Sequence, residues 1–158
     1  MSGFQRSFHL VHISKMLKKN RVHDIVATKK EDVLREMVDV LARAPEINDA
    51  DVLCEGILER EQTLSTGIGI GIAVPHARTN TVDDYVIAVG RKRGGLLFDA
   101  VDGGLVYLVF MIAGPDAYYE RYLNIHAKIM FLMTNADFRT KLINAGTSLD
   151  IYNLLKGK

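Results

Sequence analysis

Between residues 67 and 74 small and branched side chains alternate without a break. Ile68, Ile70, Ile72 and Val74 fall on one side, and Gly67, Gly69, Gly71 and Ala73 on the other. A period of two predicts a strand over Gly67 to Val74 with one nearly bare face. Further strands are predicted at Arg21 to Ala27, Tyr85 to Arg91 and Val106 to Ala113. The last is almost wholly apolar, as a strand covered on both faces should be. Helical spacing appears elsewhere. Val33, Leu34, Met37, Val40 and Leu41 make one stripe, opened by Thr28-Lys29-Lys30-Glu31 as a capping box. A second helix, capped by Asn48 or Asp49, runs to about Glu61 with Val52, Leu53, Ile57 and Leu64 inward. Asp116 is the expected cap of a long helix to about Thr134. Two shorter helices follow, near Ala136 to Ala145, with Gly146 as the stop, and near Ser148 to Leu155.

This order predicts one α/β domain over residues 1–158, a mixed central sheet between helices on both faces. Gly94-Gly95 and Asp102-Gly103-Gly104 are expected to be turns joining antiparallel neighbours. Apolar residues make up 48% of the chain, enough for a core, and the longest apolar run, Leu105 to Ala113, is too short to span a bilayer as a helix. Met1 to Lys19 lack the apolar h-region of a signal peptide. Cys54 is the only cysteine, so no intrachain disulfide forms and a reducing, cytoplasmic location is expected. With a net charge of +1 nothing asks for nucleic acid. The basic clusters Lys15, Lys18, Lys19, Arg21 and Arg91, Lys92, Arg93 are read as solvated surface.

Chemistry concentrates just past the alternating segment. Pro75 has no N–H to continue a ladder, which places His76 at a strand end or loop start on a rigid support. An imidazole there is a nucleophile near neutral pH. The glycines leave one strand face bare, so another backbone or a ligand can come close. They fit neither a dinucleotide fingerprint nor a P-loop, since the final glycine of the first and the Gly-Lys-Ser/Thr of the second are missing. His9, His12, His23 and Cys54 have no metal-ligand spacing and are read as structural or surface residues.

Arg60, Ser65, Thr66, Gly67, Gly69, Gly71, Ile72, Ala73, Pro75 and His76 fall in step with the active-site signature of the enzyme IIA domains of the fructose, mannitol and nitrogen-regulatory class of the bacterial phosphotransferase system. A second stretch, Phe98-Asp99-Ala100-Val101-Asp102-Gly103 followed by Val106 to Phe110, resembles another motif of that family. The resemblance covers nearly the whole chain. It implies that His76 is phosphorylated by an HPr-type phosphocarrier and that a IIB domain or a regulatory target is the acceptor. It implies no cofactor, because the phosphoryl group arrives already on a donor protein. It makes Arg60 the active-site arginine, whose guanidinium fork suits phosphoryl oxygens. Thr66 either gives its hydroxyl to a phosphoryl oxygen or makes a local turn bond. Asp99 and Asp102 are read as turn residues bonding their own backbone.

One position departs from the family pattern. Where the family carries a second active-site histidine, seven residues after the proline that opens the long helix, this chain has Tyr122. Tyr122 can still donate one hydrogen bond. His126, four residues on, shares its helix face, so it either reaches the site or packs inside; it is read as packed, because the family carries an apolar residue at that position. Three functions are open: a phosphoryl carrier for sugar uptake, a regulatory module like the free-standing nitrogen-regulatory IIA, whose length is similar, or a scaffold that has lost transfer.

Overall fold

The computed structural model describes residues 8–158. Met1 to Ser7, part of the stretch read for a signal peptide, lie outside the described residues. Three short 3-10 turns lead into β1 (Val22–Asp24), α1 (Lys30–Leu41) and α2 (Ala50–Thr63). Then come β2 (Gly67–Gly69), β3 (Ile72–Ala73), β4 (His76–Arg78), β5 (Val86–Leu96) and β6 (Val106–Gly114). α3 (Tyr119–Met133), α4 (Ala136–Asn144) and α5 (Ser148–Leu155) close the chain.

β5 and β6 pair antiparallel as the centre of a six-stranded mixed sheet. β1 lies parallel to β5 on one side. On the other, β6 carries β3 and then β4 in parallel along a single edge, and β2 folds back antiparallel on β3. Because successive side chains of a strand face opposite ways, β6 feeds two cores. Val109, Met111 and Ala113 pack with Val33, Met37, Leu41, Leu53 and Ile57 of α1 and α2. Leu108, Phe110 and Ile112 pack with Ile125, Ile129 and Met133 of α3, and with Ile151 and Leu155 of α5. The expected mixed sheet with helices on both faces is what forms.

The alternating segment differs from the expected single strand. It is a hairpin, β2 and β3, with Ile70 (φ 53°) and Gly71 (φ 79°) as its two turn residues. Positive φ at both central positions is the type I′ geometry that matches strand twist. A period of two survives such a turn because two residues are inserted, which hid it. Gly67 meets the expectation of close approach: a Cβ there would lie 2.9 Å from Ala100 Cα.

Several local expectations fail for identifiable reasons. Thr28 caps nothing; the Glu36 carboxylate takes the N–H groups of Val26 and Ala27 and keeps the chain extended, so α1 starts after Lys29 and Glu31 pairs with Arg35. Asp116 does not cap α3, because Tyr118 (φ 65°) intervenes in the left-handed region. Val52 and Leu64 are exposed; the buried face of α2 is Leu53, Ile57 and Glu61, each four residues apart. Gly94 and Gly95 lie within β5, where Gly95 (φ 80°) marks a bulge, not a turn. Gly146 stops nothing with left-handed geometry; α4 ends at Ala145 in an extended conformation. Arg21 and Arg91 are buried, not solvated. Arg21 donates to the carbonyls of Met16 and Ile87, and Arg91 pairs with Asp24 at 2.8 Å while bonding carbonyls at the end of α4. The Asp49 cap of α2 and the boundaries of α5 are as expected, α5 gaining a capping box from Thr147 and Asp150.

Among the described residues no helix is long and apolar enough to cross a membrane.

Candidate functional site

Pro75 interrupts the sheet without ending it. Its carbonyl accepts from Ile112 N–H at 3.0 Å, so the chain passes from β3 to β4 while still held against β6. His76 therefore opens a new strand, paired with Ile112, instead of starting a loop. Its Nδ1 lies 3.0 Å from the Val74 carbonyl. A carbonyl can only accept, so Nδ1 bears the hydrogen and the lone pair sits on Nε2. Burial lowers the pKa of His76, and the positive charge of Arg60 acts in the same direction. The ring is thus held neutral at physiological pH, the form in which an imidazole is a nucleophile.

His76 lies in a cleft of about 870 Å³. α2 forms one wall, with Gly56 and Arg60 one helical turn apart. α3 forms the other with Tyr119, Tyr122 and His126, also at helical spacing. The Tyr122 ring lies 4.8 Å from that of His76, tilted by 35°. It stacks at 5.9 Å on Tyr119 and stands 6.0 Å from His126. Burial pushes the Tyr122 phenol up to about 12, so it is a neutral donor at pH 7. His126 faces the cleft, not a closed interior, and burial lowers its pKa. None of the three α3 residues that line the cleft carries a fixed positive charge.

Arg60, in the last turn of α2, donates Nη1 to the Leu64 carbonyl at 2.8 Å and caps its own helix beside the cleft. The remaining N–H groups of its fork are not committed to a protein partner among the described residues. Thr66 is buried, and its hydroxyl proton goes to Glu61 Oε2 at 2.6 Å while its N–H goes to Glu61 Oε1 at 2.9 Å. Glu61 is itself only 6% exposed and pairs with Lys30 at 2.9 Å. Asp99, far from bonding its own backbone, faces Lys30 at 3.6 Å. Asp102 does make the expected turn bond, accepting from Gly104 N–H, and also accepts from Ile70 N–H at the tip of the hairpin. The Phe98–Gly104 segment is thereby tied to the glycine-rich segment, which explains why two stretches distant in sequence share one site.

Among the described residues no cluster of His, Cys, Asp and Glu is arranged to hold a metal. A nucleophilic imidazole of fixed tautomer, flanked by an arginine fork at the mouth of a helix-walled cleft, is a geometry for receiving a small anionic group. Residues 15–158 match the family model of the phosphoenolpyruvate-dependent sugar phosphotransferase system, EIIA 2.

The chain belongs to that family.

Similar proteins include a fructose-specific EIIABC component from Bacillus subtilis, 37% identical over 89% of this chain but only 23% of its own length. A fructose-specific EIIA component from Haloferax volcanii is 33% identical, covering 80% of this chain and 82% of its own. A nitrogen regulatory protein from Pseudomonas aeruginosa gives the same identity and coverage. The crystal structure of the nitrogen regulatory protein IIA-Ntr from Neisseria meningitidis matches with a TM-score of 0.84 at 26% identity, over 91% of this chain and 99% of that one. The IIA mannitol structure from Escherichia coli shares the fold, with a TM-score of 0.74 at 18% identity.

Within this EIIA 2 chain, the structure brings His76, Arg60, Thr66 and Tyr122 to one cleft. Two residues that bear on the cleft are not marked in the sequence: Arg78, which lines it, and Glu61, which binds Thr66. Arg78 lines the same cleft, and its position two residues after His76 in a strand was the available signal. In the sequence Glu61 reads only as a helix end, although it continues the Leu53, Ile57 stripe by four residues.

Proposed function

We propose that this EIIA 2 protein, acting as a single IIA unit, takes a phosphoryl group from an HPr-type phosphocarrier onto Nε2 of His76. The observation that carries this reading is the Nδ1–Val74 bond, which reserves Nε2 for attack in a cleft that also holds Arg60. The lone pair of Nε2 forms the bond to phosphorus as the bond between phosphorus and the donor protein breaks in line, its electron pair leaving with the donor. The group needs no cofactor, since it arrives activated. Arg60 holds phosphoryl oxygens, and Tyr122 donates its O–H to one of them. Thr66 acts through Glu61 to fix the backbone at the floor of the cleft, its hydroxyl proton being already engaged.

Onward transfer goes to a IIB domain in the cytoplasm. A solved Escherichia coli complex of a mannitol IIA with phosphorylated IIB, of the same fold, supports this acceptor class. A regulatory use of the same phosphorylation is favoured by the likeness to nitrogen regulatory proteins. A charge of about −2 appearing at His76 suffices to switch an interface.

Incubation with phosphorylated HPr should give an acid-labile, base-stable phosphate on the protein. Adding a purified IIB domain then separates the uses: loss of label to IIB supports transport, and retention supports regulation. A protein that takes no label from any phosphocarrier offered overturns the proposal.

A further inference from the structure

The α3 wall of the cleft carries no fixed cation. Tyr122 is a neutral phenol, and burial disfavours protonation of His126. A phosphoryl group brings about two negative charges, and Arg60 alone answers one. The carboxylate of Glu59 also lines the cleft and adds charge of the wrong sign.

A second cation is nevertheless present. Arg78 follows His76 by two residues in β4, and a strand repeats its side-chain direction every two residues, so both stand on the same face of the sheet. Both line the same cleft. The Arg78 guanidinium is not loose. It lies 4.5 Å over the Tyr119 ring, and its Nη1 donates to the Asp116 carbonyl at 3.0 Å. That holds the guanidinium by one planar face and by an N–H group, out of the five it carries. The charges of Arg60 and Arg78 both act on the Tyr122 hydroxyl, which therefore stands within the field of both.

We infer that Arg78 is a second phosphoryl-binding residue, which together with Arg60 and the Tyr122 hydroxyl holds the oxygens of the group on His76. This rests on the phosphorylation of His76 proposed above. In a site lined by a neutral tyrosine, Arg78 supplies the positive charge that α3 does not. The Tyr119 stack and the Asp116 carbonyl preorganise it, so little side-chain entropy is lost when the anion arrives. Tyr119 is thereby a positioning residue, not a contact to the group.

The test has two readouts. Inorganic phosphate is titrated into the unphosphorylated protein at low ionic strength and followed on the His76 ring resonances. Independently, the initial rate of labelling by phosphorylated HPr is measured. Arg78→Gln should weaken phosphate binding and slow labelling, each on the order of ten-fold, as loss of a charge-assisted hydrogen bond does. Arg78→Lys should recover part of both. Tyr119→Leu, which keeps the charge and frees the side chain, should give a smaller loss. Because the effect is one of charge, the gap between the parent and Arg78→Gln should narrow as salt rises. Unchanged phosphate affinity in Arg78→Gln, or an equal loss in Arg78→Lys and Arg78→Gln that salt does not alter, overturns the assignment. If no phosphocarrier labels the parent, the phosphorylation proposal fails, while the phosphate titration still reports on Arg78.

Discussion

The hydroxyl of Thr66 donates to Glu61 across 2.6 Å, and the same carboxylate takes the Thr66 N–H and the Lys30 ammonium. A side chain from the end of α2 thus fixes the start of the glycine-rich hairpin. Ser65 extends the tie by donating to the Phe98 carbonyl at 2.7 Å.

Glu61→Ala strips a buried N–H and a hydroxyl of their acceptor and leaves Lys30 without its nearest partner. The expected loss of stability is about 2–3 kcal/mol, read from urea unfolding. Glu61→Gln keeps an acceptor oxygen and should lose less. Labelling of His76 should slow in both, because the floor of the cleft loosens.

The pH dependence follows from the two cleft histidines. Burial lowers the pKa of both His76 and His126 in the folded protein. The unfolded chain titrates near ~6.5 and binds more protons below that value than the folded chain does. Stability therefore rises with pH through this window. It should be full above about pH 7 and fall as pH drops below ~6.5. His126→Gln should flatten part of the slope in urea midpoints taken across that range. By the same sign, the rate of His76 labelling should hold steady through pH ~6.5 and decline only in more acid solution.

At the hairpin tip a β-branched residue occupies a left-handed conformation. Ile70 has φ 53° and its side chain is 45% exposed, so strain is incurred for little burial. Ile70→Asn should raise the unfolding free energy by about 1 kcal/mol, the lower end of the left-handed penalty. A shift of the urea midpoint at constant m would show it. A drop in stability would mean that contacts of the isoleucine outweigh its backbone strain.

Tyr122→Phe keeps the ring that lies 4.8 Å from His76 and removes only the hydroxyl. Since that hydroxyl has no protein partner among the described residues, stability should change by less than about 1 kcal/mol. Labelling by phosphorylated HPr should slow by roughly three- to ten-fold, the worth of one hydrogen bond in the transition state. An unchanged rate would make Tyr122 a packing residue alone.

The sequence announced what is encoded locally or repeats with a period. The apolar run of β6 and the stripe of α1 marked two layers, and the glycine-rich segment with Pro75 marked His76 as the place where chemistry concentrates. What stayed hidden depends on neighbours far along the chain. Pro75 looked like an end because its missing N–H is visible in sequence, whereas its carbonyl bond to Ile112 is not. Thr66 stood between a phosphoryl contact and a local turn bond because its partner Glu61 wears the appearance of a helix-end acid. Arg21 and Arg91 looked solvated because the carbonyls that receive them belong to other elements. His126 looked packed because the family carries an apolar residue at its position, although its register puts it on the Tyr122 face that lines the cleft.

The account turns on the ring nitrogen that Val74 leaves free. Long-range proton–nitrogen correlation spectra of the phosphorylated protein distinguish the two nitrogens of His76 directly. The expected spectrum has phosphorus on Nε2 and a proton retained on Nδ1, and it disappears in His76→Ala, which takes no label. A phosphorus on Nδ1, or a label that persists in His76→Ala, would contradict it.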